Sequence, residues 1–157
     1  MPVERVTHVG IGVSDLDRSL RFYRDLLGFV RLSELEIGGE PTDRLLELEG
    51  SHLRAVYLER DGLRLELLFF AAPARRRDRL PRAMDDLGFT HLSLRVSDLD
   101  ALLRELRSAG VAVREKTRLD FPEVGAAAVM IEDPDGLWIE LVQAPGDPAQ
   151  PPGQNAP

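Results

Sequence analysis

The chain has 157 residues, of which 27 are acidic and 20 basic, with a formal charge of −7 and no cysteine. The acidic balance argues against a nucleic-acid surface. The lack of cysteine excludes disulfides and thiolate metal sites, so any metal must be held by imidazole and carboxylate. No apolar run reaches membrane-spanning length and the N-terminus lacks a signal pattern, so a cytoplasmic protein with no membrane partner is expected.

The length suits one domain or two small modules that share a core. Residues 6–13 alternate: Val9, Ile11 and Val13 point one way, His8, Gly10 and Gly12 the other, the pattern of a half-buried strand. Ser14 is placed to cap a helix, with Asp17 three positions on. Leu16, Leu20, Tyr23 and Leu27 follow at helical spacing and Gly28 ends the run. Strands are expected at 30–37, 53–59 and 63–70, the last two joined by a turn at Asp61-Gly62. Residues 38–51 read as an insertion, either a lid or a plain surface loop.

The same order then returns. Thr7-His8-Val9-Gly10-Ile11-Gly12-Val13-Ser14-Asp15-Leu16-Asp17 reappears as Thr90-His91-Leu92-Ser93-Leu94-Arg95-Val96-Ser97-Asp98-Leu99-Asp100, offset by 83 residues (8 to 91). Asp61-Gly62-Leu63-Arg64-Leu65-Glu66-Leu67 reappears as Asp135-Gly136-Leu137-Trp138-Ile139-Glu140-Leu141, offset by 74 (66 to 140). In the second copy Ser97 and Asp100 open a helix, Leu99, Leu102, Leu103 and Leu106 form its stripe, and Gly110 closes it. Further strands are expected at 112–118, 126–132 and 137–143.

The resulting organisation is α+β: two tandem βαβββ modules at 1–73 and 90–143, a linker at 74–89, and a Pro- and Gly-rich tail at 144–157 expected to be disordered. The linker holds Arg75, Arg76, Arg77, Arg79 and Arg82, read as a solvated charge run or an anion-binding rim.

Each copy carries one His and one Glu at matching places. Glu66 lies between Leu65 and Leu67, and Glu140 between Ile139 and Leu141. A carboxylate inside an apolar strand costs several kcal/mol if buried without a partner, roughly the price that a metal or cavity water removes. Singly, each of these residues is as well explained by a solvated strand face or a core hydrogen bond. Two modules related by a pseudo-twofold axis would bring His8, Glu66, His91 and Glu140 together as four metal ligands. His52 has no repeat partner and reads as a surface or rim residue.

Thr7-His8-Val9-Gly10-Ile11, Phe22-Tyr23-Arg24-Asp25-Leu26-Leu27-Gly28-Phe29 and Asp133-Pro134-Asp135-Gly136-Leu137-Trp138-Ile139-Glu140-Leu141 resemble the vicinal oxygen chelate superfamily. That superfamily includes glyoxalase I, methylmalonyl-CoA epimerase, extradiol dioxygenases and fosfomycin or bleomycin resistance proteins. The resemblance implies paired modules forming a cup-shaped, barrel-like mixed sheet with helices outside, around one divalent metal ion (Ni, Co, Zn, Mn or Fe), often in a homodimer.

Two His and two Glu are closest to bacterial glyoxalase I and to the epimerases; dioxygenase-like members typically carry His at the position of Glu66. The expected function is therefore that of a metal-dependent isomerase, epimerase or lyase. Such an enzyme chelates neighbouring oxygens of a small substrate and moves a proton next to a carbonyl, with Glu140 or Glu66 as the base. The alternatives are an Fe(II)-dependent dioxygenase using His8, His91 and Glu140 as a facial triad, and a small-molecule binding or resistance protein. Glutathione-using members carry Arg and Asn where this chain has Gly12 and Phe70. Arg95 is a candidate anchor for an anionic group or a rim Arg with a local carboxylate. Leu68, Phe70 and Trp138 share the ligand-bearing faces by alternation and imply a partly apolar substrate.

Overall fold

The structure is a computed structural model and describes residues 2–73 and 83–150. It divides into two compact units, with the boundary between Asp78 and Arg79. The arginine cluster of the linker and the tail beyond residue 150 lie outside the described residues. Among the described residues no helix is long and apolar enough to cross a membrane.

The first unit runs β1 (Val9–Gly12), α1 (Leu16–Leu20), β2 (Val30–Gly38), α2 (Glu40–Leu46), β3 (His52–Arg60) and β4 (Leu63–Ala72). Its sheet has the order β1-β4-β3-β2, with β1 parallel to β4 and the other neighbours antiparallel. The second unit runs β5 (His91–Arg95), α3 (Leu99–Ser108), β6 (Leu119–Phe121), β7 (Ala126–Glu132) and β8 (Trp138–Gln143). Its order, β5-β8-β7-β6, repeats the first sheet strand for strand. The α+β class and the twofold use of βαβββ hold, and each sheet is an open, four-stranded one.

One face of each sheet is covered by its helix. Leu16, Leu20, Tyr23 and Leu27 are buried, as are Val56, Leu58, Leu65 and Leu67 of β3 and β4. In the second unit Leu99, Leu103 and Leu106 are buried together with Val129, Ile131, Ile139 and Leu141. Each such side chain contributes about 1.5–3 kcal/mol. The period-two strands therefore turn the alternate residues, among them Glu66 and Glu140, to the opposite face.

Helix α1 continues as a wider π-helical segment, Arg21–Leu26, in which the Leu27 amide donates to the Phe22 carbonyl. Gly28 then turns at φ 72°, and a Cβ there would meet the Arg60 guanidinium at 2.5 Å. That guanidinium donates to the Leu27 carbonyl and so closes the helix from the end of β3.

Two local expectations are corrected. The caps are Asp15 and Asp98, not the serines before them: the Asp15 carboxylate accepts from the Arg18 amide (2.9 Å) and Asp98 from the Ala101 amide (2.8 Å). Both aspartates have the extended backbone an N-cap needs, and Ser14 instead accepts from the Arg18 guanidinium. Residues 112–118 do not form a strand. Val113 makes one bridge to Ile131, the chain turns through Glu115–Thr117, and the Thr117 hydroxyl takes the Met130 amide at 2.9 Å. A side chain thus replaces the backbone partner, and the outer strand is displaced to Leu119–Phe121. The insertion at 38–51 contains α2, which buries none of its side chains. Its Asp43 carboxylate accepts from the Gly50 and Ser51 amides and the Ser51 hydroxyl, which fixes the return to β3 and holds the Asp43 carboxyl below its usual pKa.

Replacing the true cap should cost more than replacing its neighbour. Asp98→Ala is expected to lower the unfolding free energy by about 1 kcal/mol in urea titrations, and Ser97→Ala by less than about 0.5 kcal/mol. Equal losses would contradict the cap assignment.

Candidate metal centre

Strand register puts the candidate ligands in pairs. Gly10 of β1 lies opposite Glu66 of β4, and His8 immediately precedes β1. His8 Nε2 stands 3.1 Å from Glu66 Oε2. On the other side of the imidazole, Thr7 Oγ1 is 3.0 Å from Nδ1. In the second unit Ser93 of β5 lies opposite Glu140 of β8. His91 Nε2 is 3.8 Å from Glu140 Oε2, and Thr90 Oγ1 is 3.0 Å from His91 Nδ1. Each hydroxyl lies against Nδ1 and leaves Nε2 facing the carboxylate; a hydroxyl can donate or accept, so the contact sets the orientation of the ring and suits either tautomer.

The two carboxylates are held differently. Glu66 is 12% exposed; its Oε1 accepts from the Tyr57 hydroxyl and its Oε2 faces His8. Glu140 is 28% exposed, and both of its contacts fall on Oε2: His91, and the Ser93 hydroxyl at 2.7 Å. Among the described residues its Oε1 has no partner. A glycine beside Glu66 becomes a serine beside Glu140, and a tyrosine opposite Glu66 becomes Met130 opposite Glu140. The Tyr57 ring also packs edge-on against His8, centroids 5.3 Å apart at 80°. The hydrogen bond it donates to Glu66, helped by burial and by the carboxylate charge, pushes the Tyr57 hydroxyl up to about 12.

Among the described residues no group of three or more His, Asp or Glu side chains is gathered; each unit supplies a pair. The donors fit a divalent ion in kind. They are imidazole nitrogens with their second nitrogen occupied and carboxylates raised from apolar strands.

The other expected site residues lie as follows. Leu68 and Phe70 share the Glu66 face of β4, opposite Ala55 and Leu53, and Leu35 of β2 extends that face while 49% exposed. Trp138 lies beside His91, and the Arg114 guanidinium covers its ring at 3.9 Å while pairing with Glu132. Arg95 Nη2 donates to the Ala144 and Pro145 carbonyls, at 2.6 and 2.7 Å, tying down the chain after β8. Its partners are thus carbonyls rather than a carboxylate. His52 is exposed at the start of β3.

Tyr57, Ser93 and the two threonines were not singled out by sequence. The threonines carried a signal, a hydroxyl directly before each repeated His. So did Tyr57: the turn at Asp61-Gly62 sets Arg60 opposite Leu63, and counting back along both strands sets Tyr57 opposite Glu66.

The Tyr57–Glu66 bond has a measurable consequence. In metal-free protein, one of the two tyrosines should ionise only near pH 12 by ultraviolet titration, and Glu66→Gln should bring it back towards about 10. The folded state holds this proton more tightly than the unfolded chain does. Its contribution to stability is therefore complete below about pH 10 and fades as the pH rises towards 12. A titration unchanged by Glu66→Gln would refute the contact.

Comparisons with known proteins agree with this fold. The family model described as "Glyoxalase/Bleomycin resistance protein/Dioxygenase superfamily" matches residues 5–141. A 2-epi-5-epi-valiolone epimerase from Actinomyces sp. is 33% identical over 147 residues, covering 89% of this chain and 79% of its own. The lactoylglutathione lyase of Haemophilus influenzae is 26% identical, covering 88% of this chain and 92% of the lyase. Among solved structures, a glyoxalase family protein from Bacillus cereus superposes with a TM-score of 0.80 at 20% identity, covering 93% of this chain and 97% of that one. The chain belongs to the glyoxalase/bleomycin resistance protein/dioxygenase superfamily.

Proposed function

We propose that this chain is a divalent-metal-dependent enzyme of the isomerase, epimerase or lyase type, working as a cytoplasmic homodimer. It would move a proton at a carbon next to a carbonyl, on a small, partly apolar substrate with two neighbouring oxygens. The observation that carries this reading is the repetition of the pair. In each unit a Thr-held imidazole turns Nε2 towards a carboxylate that rises from an apolar strand. A repeat conserved only for folding has no need of four polar side chains at matched places. The named relatives, an epimerase and a lyase, support the same reaction class.

His8, Glu66, His91 and Glu140 would hold the ion, whose chemistry when bound is to polarise a chelated carbonyl as a Lewis acid. The chain's own residues do the rest. Glu66, with the Tyr57 hydroxyl donating to Oε1 and His8 Nε2 beside Oε2, is the carboxylate kept in place. Glu140, with Oε1 unoccupied among the described residues, is the one able to swing and carry the proton. Leu35, Leu68 and Phe70 make the wall beside Glu66 apolar, and Trp138 presents an aromatic ring beside His91. Support for a glutathione conjugate is weak, because Gly12 and Phe70 replace the polar anchors of glutathione-using members and Arg95 Nη2 is already occupied.

The test is to purify the protein without chelators, identify its metal, and incubate it in deuterated water with a panel of hydroxyketones and 2-oxo acids. Expected are a tightly held divalent ion, deuterium entering next to a carbonyl, and no oxygen uptake. Glu140→Gln should reduce that exchange at least about a hundredfold, the usual share of a general base. Iron with oxygen consumption would make the chain a dioxygenase instead. No metal, with ligand binding intact in Glu66→Ala and Glu140→Ala, would make it a binding protein.

A further inference from the structure

One side chain touches both members of the first pair. Tyr57 donates to Glu66 Oε1 and packs edge-on against the His8 ring. It reaches both because the β3–β4 register sets it opposite Glu66, while Gly10 on the far side of β4 adds no bulk between carboxylate and imidazole. A Cβ at Gly10 would meet Leu68 Cδ1 at 3.4 Å and Glu66 Oε2 at 3.8 Å, both ordinary contacts.

Among the described residues the second unit has no equivalent. Met130, opposite Glu140, cannot donate, and the Ser93 hydroxyl binds the same oxygen that faces His91. His and Glu stand 3.1 Å apart in the first unit and 3.8 Å in the second.

We propose that Tyr57 is a positioning residue that orients Glu66 and His8 together, making the first unit's pair the preorganised half of the metal centre. Bonding at Oε1 fixes the plane of the Glu66 carboxylate and leaves Oε2 as the oxygen presented alongside His8 Nε2. The ring contact limits the rotation of the imidazole. A carboxylate already held in its binding rotamer loses less entropy when an ion arrives, so the hydroxyl acts on affinity without touching the ion. The inference rests on the metal reading above and adds a residue that the repeat does not supply twice.

The experiment is calorimetric titration of the full-length metal-free protein with Ni(II) and with Zn(II). Tyr57→Phe keeps the ring and its packing against His8 and removes only the donor. It should weaken both ions by about tenfold or more, the usual effect of losing a partner of a ligand, while the metal-free variant still folds and its melting temperature falls only by what one lost hydrogen bond costs. Tyr57→Met, which copies the residue opposite Glu140, should show at least the same loss. Met130→Leu should bind within about twofold of the parent, because it removes no donor from a ligand. Tyr57→Phe and Tyr57→Met binding as tightly as the parent would overturn the positioning role and leave the metal reading standing. A parent protein that binds neither ion would overturn both.

Discussion

The structure depends on a parallel strand pair used twice, β1 beside β4 and β5 beside β8. Parallel pairing holds the first strand of each unit against its last, across the whole length of the module's sequence. The last strand of each pair carries the Glu, and the His stands at or just before the start of the first. Leu65 and Leu67, or Ile139 and Leu141, point into the helix-covered core at full burial, and the alternation then leaves the carboxylate between them no choice of face. The imidazole comes from the neighbouring strand on that same face. The polar pair is therefore a product of the core: whatever fixes the leucines fixes the glutamate.

Once that scaffold is duplicated, the two copies differ in what surrounds the pair. Gly10 gives way to Ser93, Tyr57 to Met130, and Arg64 to Trp138. Each change alters what surrounds the carboxylate and leaves the carboxylate and imidazole themselves in place. Glu66 ends with a contact on each oxygen and Glu140 with both contacts on one. Two chemically identical groups are thereby given unequal freedom, as the proposed division between a held ligand and a mobile base would require.

Much of this was legible in the sequence because strand alternation and helical spacing are strong signals when repeated. The helix stripes, the hairpin turns, the βαβββ order and the residues of each pair followed from them. What was not legible was decided by side chains competing with backbone. The Thr117 hydroxyl took the Met130 amide in place of the Arg114 carbonyl opposite it, and the expected strand at 112–118 gave way to a turn. Asp15 and Asp98 outcompeted the serines before them because a carboxylate reaches the third amide of the helix from the residue adjoining it. Arg95 settled on two carbonyls after β8, partners that no spacing rule announces. Tyr57 was legible in principle, through the hairpin register, but carries no mark of its own in the repeat.

The central claim is that the two pairs serve one ion, whether the four ligands come from one chain or from two. The most direct measurement is metal stoichiometry in His8→Ala, His91→Ala and their equimolar mixture, refolded together from denaturant. Loss of tight binding in both single variants is expected, because each removes one ligand of the same set. Recovery of tight sites in the mixture would assign the set to two chains, and no recovery to one. Tight binding retained in both single variants, with one ion still held per chain, would show that neither pair belongs to a shared centre and would contradict the claim.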